Sequence, residues 1–166
     1  MSPTDRSLDM VVMTHIDGDH SRGLLEVLDR YDVATVVVGD NPMDYQSSQG
    51  WQARLDRKHI DPVGVSAGQV LEVEPGVTLE VLNPAAVPFV GSGADRNNNA
   101  VVLRLVYGRV SFLLASDIEA FTEDYLVRTS FVLESIVLKA AHHGSRPSTI
   151  PAFLGQVNPA VTVISA

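Results

Sequence analysis

Cysteine is absent from the 166 residues, which excludes disulfides and thiolate metal sites. Any metal held by this chain must be bound through nitrogen and oxygen, a donor set that suits zinc or manganese. Aromatic residues are scarce at 6%, and the two that invite a base-stacking reading, Tyr45 and Trp51, are better read as packing residues. No apolar run approaches the ~20 residues of a membrane helix. The opening Met-Ser-Pro-Thr-Asp-Arg lacks the charged and apolar regions of a signal peptide. The chain itself is expected to be soluble and untargeted. Basic residues are outnumbered, 12 against 20 acidic, for a formal charge of -8. That balance argues against tight, non-specific nucleic-acid binding through a basic face. Arg96, Arg104, Arg109 and Arg128 read as scattered surface bases, while Lys139 and Arg146 flank a histidine pair.

What is present is a globular composition, 45% hydrophobic and 19% charged, in a length that suits a single domain over residues 1–166. Its most informative stretch is Thr14-His15-Ile16-Asp17-Gly18-Asp19-His20, directly after the apolar run 8–13. Two imidazoles and two carboxylates at alternating spacing, with Gly18 permitting a tight bend, can turn several donor atoms toward one divalent cation. The bland reading is a polar loop that caps the following helix. Recurrence downstream argues against it. The run 110–116 ends in Asp117, and the run 135–141 ends in His142-His143-Gly144-Ser145. Carboxylates and imidazoles at the carboxyl ends of three strands are how open sheets build sites. Four of the five histidines lie in these segments. The fifth, His59, reads as a helix-end cation, and Asp40, after a strand, as a turn residue.

The remaining pattern alternates strand and helix at first: strand 8–13, helix 20–32, strand 33–38 with a turn at 39–42, and an amphipathic helix over 44–58. Leu24, Leu25, Val27 and Leu28 form an apolar stripe on the first helix. Two hairpins follow, 70–73 with 77–82 and 100–107 with 110–115. Between them runs a Gly-, Pro- and Asn-rich loop, 85–99. A helix at 118–127, a strand to His142, a short helix at 151–157 and a final strand at 160–165 complete the chain. The sum is an α/β architecture.

H-I-D-G-D-H before a helix, then L-L-A-S-D, then K-A-A-H-H-G-S resembles the metallo-β-lactamase-like hydrolase superfamily. Within it the chain is most similar to the hydrolase domain of the ComEC family of competence DNA-uptake proteins. Those proteins carry T-H-x-D-x-D-H where most of the superfamily has His in place of the first Asp. The Asn-rich lead from Asp95 to Leu103 is similar as well. The resemblance runs over nearly the whole chain, and it implies an αββα four-layer sandwich with metals at the edge between two sheets. Against that pattern, strands before the first motif and a segment after the last strand are missing, so the chain is expected to be part of a longer protein.

Carried over residue by residue, the resemblance implies that Asp19, His20, Asp117 and one of His142 and His143 hold one metal, with Asp117 bridging to a second. His15 and Asp17 would hold that second ion. Its usual third histidine, expected near Asp95–Asn99, is absent, as it is in ComEC-like sequences, so this ion is expected to be weak. Asp17 in place of an imidazole favours a harder ion such as manganese. The implied cofactors are therefore two divalent ions, zinc or manganese. The implied chemistry is hydrolysis by a metal-activated water. Asp19 would orient that water and accept its proton, and the non-ligand member of His142 and His143 would contact a phosphate oxygen or protonate the leaving group. Ser145 would add a donor there or cap a helix before Pro147. The implied substrate is DNA, single-stranded, with a membrane channel as neighbour in a ComEC-like parent. Two other readings remain open: a hydrolase of a small ester, lactone, lactam or phosphodiester, and a non-catalytic module that binds a metal or partner.

Overall fold

The computed structural model describes residues 5–40 and 49–165. It divides into two compact units, Met1–Val65 and Ser66–Ala166.

The first unit is built on a parallel three-stranded sheet in the order β1 (Ser7–Met13), β2 (Asp32–Gly39) and β3 (Val63–Val65). Parallel neighbours need a crossover. Here α1 (Gly18–Arg30) links β1 to β2, and α2 (Gln49–Lys58) lies between β2 and β3 in the chain. The register Val11↔Val36 and Met13↔Val38 sets apolar side chains side by side. Leu28 of α1 and Trp51 and Leu55 of α2 join Met13, Val36 and Val38 in one core. Asp29 of α1 clamps α2 by accepting hydrogen bonds from Arg54 at 3.0 Å and Arg57 at 2.6 Å.

α1 begins two residues earlier than the sequence suggests. The Asp17 carbonyl accepts the His20 and Ser21 amides at 3.0 and 2.8 Å, which closes the first turn around Asp19 and His20. Those two residues therefore ride on a helix rather than a loop. Of the helix expected over 44–58, residues 49–58 are observed, while Tyr45 and the turn at 41–42 lie outside the described residues. β3 is an addition: Val-Gly-Val after Pro62 is too short to announce a strand, yet it pairs with β2 at Val37↔Val63.

The second unit holds a six-stranded sheet in simple sequence order, β4 (Val70–Glu74), β5 (Val77–Asn83), β6 (Val102–Tyr107), β7 (Val110–Leu114), β8 (Val137–Lys139) and β9 (Val161–Val163). β4 to β7 are antiparallel, as the two hairpin patterns predict. β7, β8 and β9 run parallel. The crossovers between them carry α4 (Ala120–Val127) and α5 (Pro151–Val157). Leu126 of α4 and Phe153 and Val157 of α5 are fully buried against Leu113 and Leu138 of the sheet.

The strands expected over 135–141 and 160–165 shorten to three residues each. The chain leaves β8 through a 3-10 turn, Ala141–Gly144. Within the Asn-rich loop a single helical turn, α3 (Asp95–Asn98), precedes β6. No helix among the described residues is long and apolar enough to cross a membrane.

Candidate metal centre

In the first unit the donor residues sit where β1 ends and α1 begins. Asp17 occupies the cap position but makes no side-chain cap hydrogen bond; its carbonyl accepts the amides of the first turn instead. The His15 side chain is wholly buried, with Nε2 3.8 Å from Asp17 Oδ2. Its Nδ1 lies 3.1 Å from Thr14 Oγ1, a pairing that orients the ring. His20 Nε2 stands 3.9 Å from Asp19 Oδ2, and the His15 and His20 rings approach to 4.3 Å between centroids. The Ser21 hydroxyl donates to the Ile16 carbonyl at 3.1 Å and braces the bend. All four sequence-derived residues of this motif thus share one strand-to-helix junction.

In the second unit Asp117 follows β7, and the histidine pair follows β8. Because β7 and β8 are parallel and paired, with Leu114↔Lys139 in register, their carboxyl ends lie side by side. Asp117 is buried, and its Oδ2 lies 3.9 Å from His142 Nε2 and 3.6 Å from His143 Nε2. Both histidines adopt left-handed backbone angles, φ 47° and 54°, and Gly144 continues at φ 77°. Such conformations are costly outside glycine and cluster at functional sites. The His142 amide donates to the Ser116 carbonyl at 2.9 Å, which anchors the turn to the end of β7.

The two imidazoles are not equivalent. His143 Nδ1 meets the Ser165 carbonyl at 2.8 Å, and a carbonyl only accepts, so Nδ1 carries the hydrogen and Nε2 presents its lone pair toward Asp117. His142 Nδ1 instead faces Glu119 Oε1 at 3.4 Å. Sequence reasoning passed over Glu119 and Ser165. The signal for Glu119 was present in Asp117-Ile118-Glu119, the same alternating spacing that marks the first motif.

The Asn-rich loop supplies scaffolding more than ligands. Asp95 accepts from the Gly91 and Ser92 amides and the Ser92 hydroxyl at 2.8, 2.6 and 2.7 Å, and these bonds hold its carboxyl below the usual aspartate range. Asn98 is buried; its Oδ1 accepts the Glu119 amide at 3.1 Å and the Thr122 hydroxyl at 3.1 Å. Asn99 exchanges hydrogen bonds with the Phe89 backbone, both at 2.8 Å. Asn97 turns the other way, its Nδ2 reaching Glu119 Oε1 at 3.5 Å.

Other expectations resolve plainly. His59 is exposed just past the end of α2, and Trp51 is fully buried in the core. Asp40 is exposed, its amide donating to the Val65 carbonyl at 2.8 Å. No helix starts after Ser145. Its amide donates to the His142 carbonyl at 2.8 Å and its carbonyl accepts from Ser148 at 3.1 Å, so it belongs to a turn and the capping expectation is corrected. Arg104 pairs with Glu80 at 2.9 Å and Arg128 with Asp124 at 2.9 Å, which removes both from any cationic rim.

The sequence model described as the metallo-beta-lactamase superfamily matches residues 4–166. ComE operon protein 3 of Bacillus subtilis is 30% identical over 165 residues, covering 97% of this chain and 20% of that protein. Competence protein ComA of Neisseria gonorrhoeae is 28% identical over 167 residues, again 97% of this chain and 20% of that protein. The chain therefore spans about a fifth of the length of these curated relatives. Among solved structures, Igni18, a metallo hydrolase from Ignicoccus hospitalis, superposes with a TM-score of 0.57 at 19% identity, over 93% of this chain and 61% of that one.

Proposed function

The chain belongs to the metallo-beta-lactamase superfamily, and on that premise we propose that it is a divalent-metal-dependent phosphodiesterase acting on DNA. The observation that carries this reading is the orientation of His143, whose Nδ1 is held by the Ser165 carbonyl while Nε2 stands 3.6 Å from Asp117 Oδ2. Two donors bonded to one tetrahedral ion at ~2.1 Å stand roughly 3.4 Å apart. The spacing and the tautomer both fit a shared divalent cation, and so does a donor set of carboxylates and imidazoles.

Following the superfamily pattern, Asp19, His20, Asp117 and His143 would hold the stronger ion, and His15 and Asp17 would hold a second. Zinc or manganese suits these donors. The second site lacks a third imidazole and is the weaker. When bound, such ions bring the pKa of water to about 7 and offset charge on phosphoryl oxygens.

The chain's own residues do the rest. Asp19, the most exposed carboxylate of its motif, orients the attacking water and accepts its proton. His142 is the member of the pair left out of the ligand set, and it offers Nε2 to a phosphate oxygen or to the leaving oxygen. Thr14 Oγ1, 3.1 Å from His15 Nδ1, orients the His15 ring. The Gly144 and Ser145 turn adds donors beside the histidines.

The choice of DNA rests on similarity to the competence protein and to ComE operon protein 3, and with it the expectation of a membrane channel as neighbour in a longer protein. With a net charge of -8, substrate recognition would depend on the ions and nearby donors rather than on a basic face.

The test is to load the purified chain with manganese or zinc, count metals by mass spectrometry, and assay single-stranded DNA beside small esters. Two ions per chain, fewer in Asp117→Ala, and metal-dependent DNA cleavage support the proposal. A folded chain that takes up no metal overturns it, and ester hydrolysis without DNA cleavage reassigns the substrate.

A further inference from the structure

The segment that leads away from the histidine pair, residues 145–150, is tied down along its length, and one cation on it is left over. We propose that Arg146 is a substrate-binding residue of this site, its guanidinium holding a strand phosphate next to the one that is cleaved. The inference rests on the phosphodiesterase reading above and deepens it, since such a contact favours a polyanionic strand over an isolated ester.

The backbone is held where it carries the arginine. The Ser145 amide donates to the His142 carbonyl at 2.8 Å and the Ser148 amide to the Ser145 carbonyl at 3.1 Å, so Arg146 and Pro147 form the corner of a tight turn. Pro147 fixes its own φ and restricts the backbone of Arg146 before it. The turn is then sewn to the segment after Asp117. The Ala120 amide donates to the Pro147 carbonyl at 2.8 Å, and the Ser148 hydroxyl donates to the Ile118 carbonyl at 2.9 Å. Just beyond, Glu123 accepts the Thr149 and Ile150 amides. A side chain on such a turn is presented from a fixed base, and little backbone freedom is lost when it binds.

The guanidinium itself is uncommitted. Arg146 is exposed, and among the described residues it makes no hydrogen bond or ion pair. Other arginines are taken: Arg54 and Arg57 by Asp29, Arg104 by Glu80, Arg128 by Asp124. Arg146 also lies three positions after His143, a span of at most about 11 Å when fully extended, and the turn shortens it. A guanidinium is a planar fork of donors that matches phosphate, and such contacts fix the register of a strand without reading its bases. Arg109 supplies the contrast. It too is exposed and unpaired among the described residues, but it sits in the turn between β6 and β7, at the other end of β7 from Asp117.

The experiment compares wild type with Arg146→Ala, Arg146→Lys and Arg109→Ala, the last removing the same charge from the far end of the strand. Fluorescence anisotropy measures binding of a labelled single-stranded oligothymidylate with a cleavage-resistant phosphorothioate backbone, in the presence of manganese and over a range of salt. Arg146→Ala is expected to weaken binding about tenfold at low salt and to lower the slope of log affinity against log salt by about 0.7, the share of one phosphate on a single strand. Arg146→Lys, which keeps the charge but not the fork, is expected to keep the slope and recover part of the affinity. Arg109→Ala is expected to match wild type. With an ordinary oligonucleotide as substrate, KM is expected to rise in Arg146→Ala by the factor seen in binding. Equal weakening in Arg146→Ala and Arg109→Ala reduces the effect to net charge and overturns the proposal. Unchanged affinity in Arg146→Ala overturns it as well, and so does a wild type that binds no strand at low salt. Metal counting and ester hydrolysis need no strand, so they read the hydrolase proposal separately. Binding that depends on Arg146 without any cleavage would uphold this contact and sink the phosphodiesterase reading.

Discussion

Glu123 and Ile150 meet across 27 positions of sequence: the fully buried carboxylate accepts the Ile150 amide on one oxygen at 2.8 Å and the Thr149 amide on the other at 2.6 Å. Ile150 is the cap residue of α5, so a side chain of α4 closes the start of the next helix and fixes the segment that leads away from the histidine turn. Burial is the largest influence on this carboxyl and raises its pKa, with the two amides opposing.

A pH dependence of stability follows from that direction. A raised native pKa means that the folded state holds the proton more tightly. The stabilisation is therefore whole below the ordinary value of 4.5 and is lost as pH rises through the native value. Thermal unfolding at several pH values above 4.5 is expected to show a decline that Glu123→Gln removes in part. Equal slopes for the two proteins would contradict the assignment.

Asp95 gives the opposite sign. Its pKa is lowered by the Ser92 hydroxyl and the Gly91 and Ser92 amides, so its contribution is present above 3.8 and disappears as pH falls through the native value. Asp95→Ala is expected to speed hydrogen exchange at the Gly91 and Ser92 amides while leaving the metal count unchanged. A loss of metal in that variant would make Asp95 a ligand after all.

Replacement of the two histidines is expected to separate their roles. His143→Ala should lower metal uptake, while His142→Ala should keep the metal and lower kcat. Metal analysis paired with steady-state kinetics on one batch of protein checks this, and the reverse pattern would exchange the two assignments.

Asn98→Ala is expected to destabilise the second unit by about 1–3 kcal/mol, because the Glu119 amide loses its acceptor, while the Thr122 hydroxyl keeps the Asn98 backbone carbonyl at 2.8 Å. Urea denaturation measures it.

Gly144→Ala tests the turn itself. The added methyl would occupy a backbone position at φ 77° and meet Ile164 Cγ2 at 3.3 Å. The left-handed conformation alone costs roughly 1–2 kcal/mol for a residue with a Cβ. A lower denaturation midpoint with weakened metal binding is the expected result, since the same turn carries His143.

The ligand-bearing segments were legible because each is a polar cluster placed after an apolar run, and the strands and helices that hold them follow from ordinary periodicity. His15, Asp17, Asp19 and His20 fall at one junction, and Asp117, His142 and His143 at another, because strand ends are where such side chains can converge. Boundaries were less legible. Nothing local in the sequence says that the Asp17 carbonyl closes a helical turn at Gly18, or that Val63–Val65 finds a partner in β2. Glu119 and Ser165 escaped notice for a related reason. Their importance lies in which atom of another segment each one faces, and that is fixed by the pairing of β7 with β8 and of β8 with β9 rather than by any neighbour in sequence.

The parallel order of β7, β8 and β9 also has a kinetic consequence. Each of these pairings joins segments about two dozen residues apart, so neither forms until a long stretch of chain, helix included, has been gathered in. Asp117 and His143 become neighbours only after β8 has docked on β7. Ion uptake by this pair is thus a late reporter in refolding, and an early collapsed chain that has made both hairpins would still be blind to the metal.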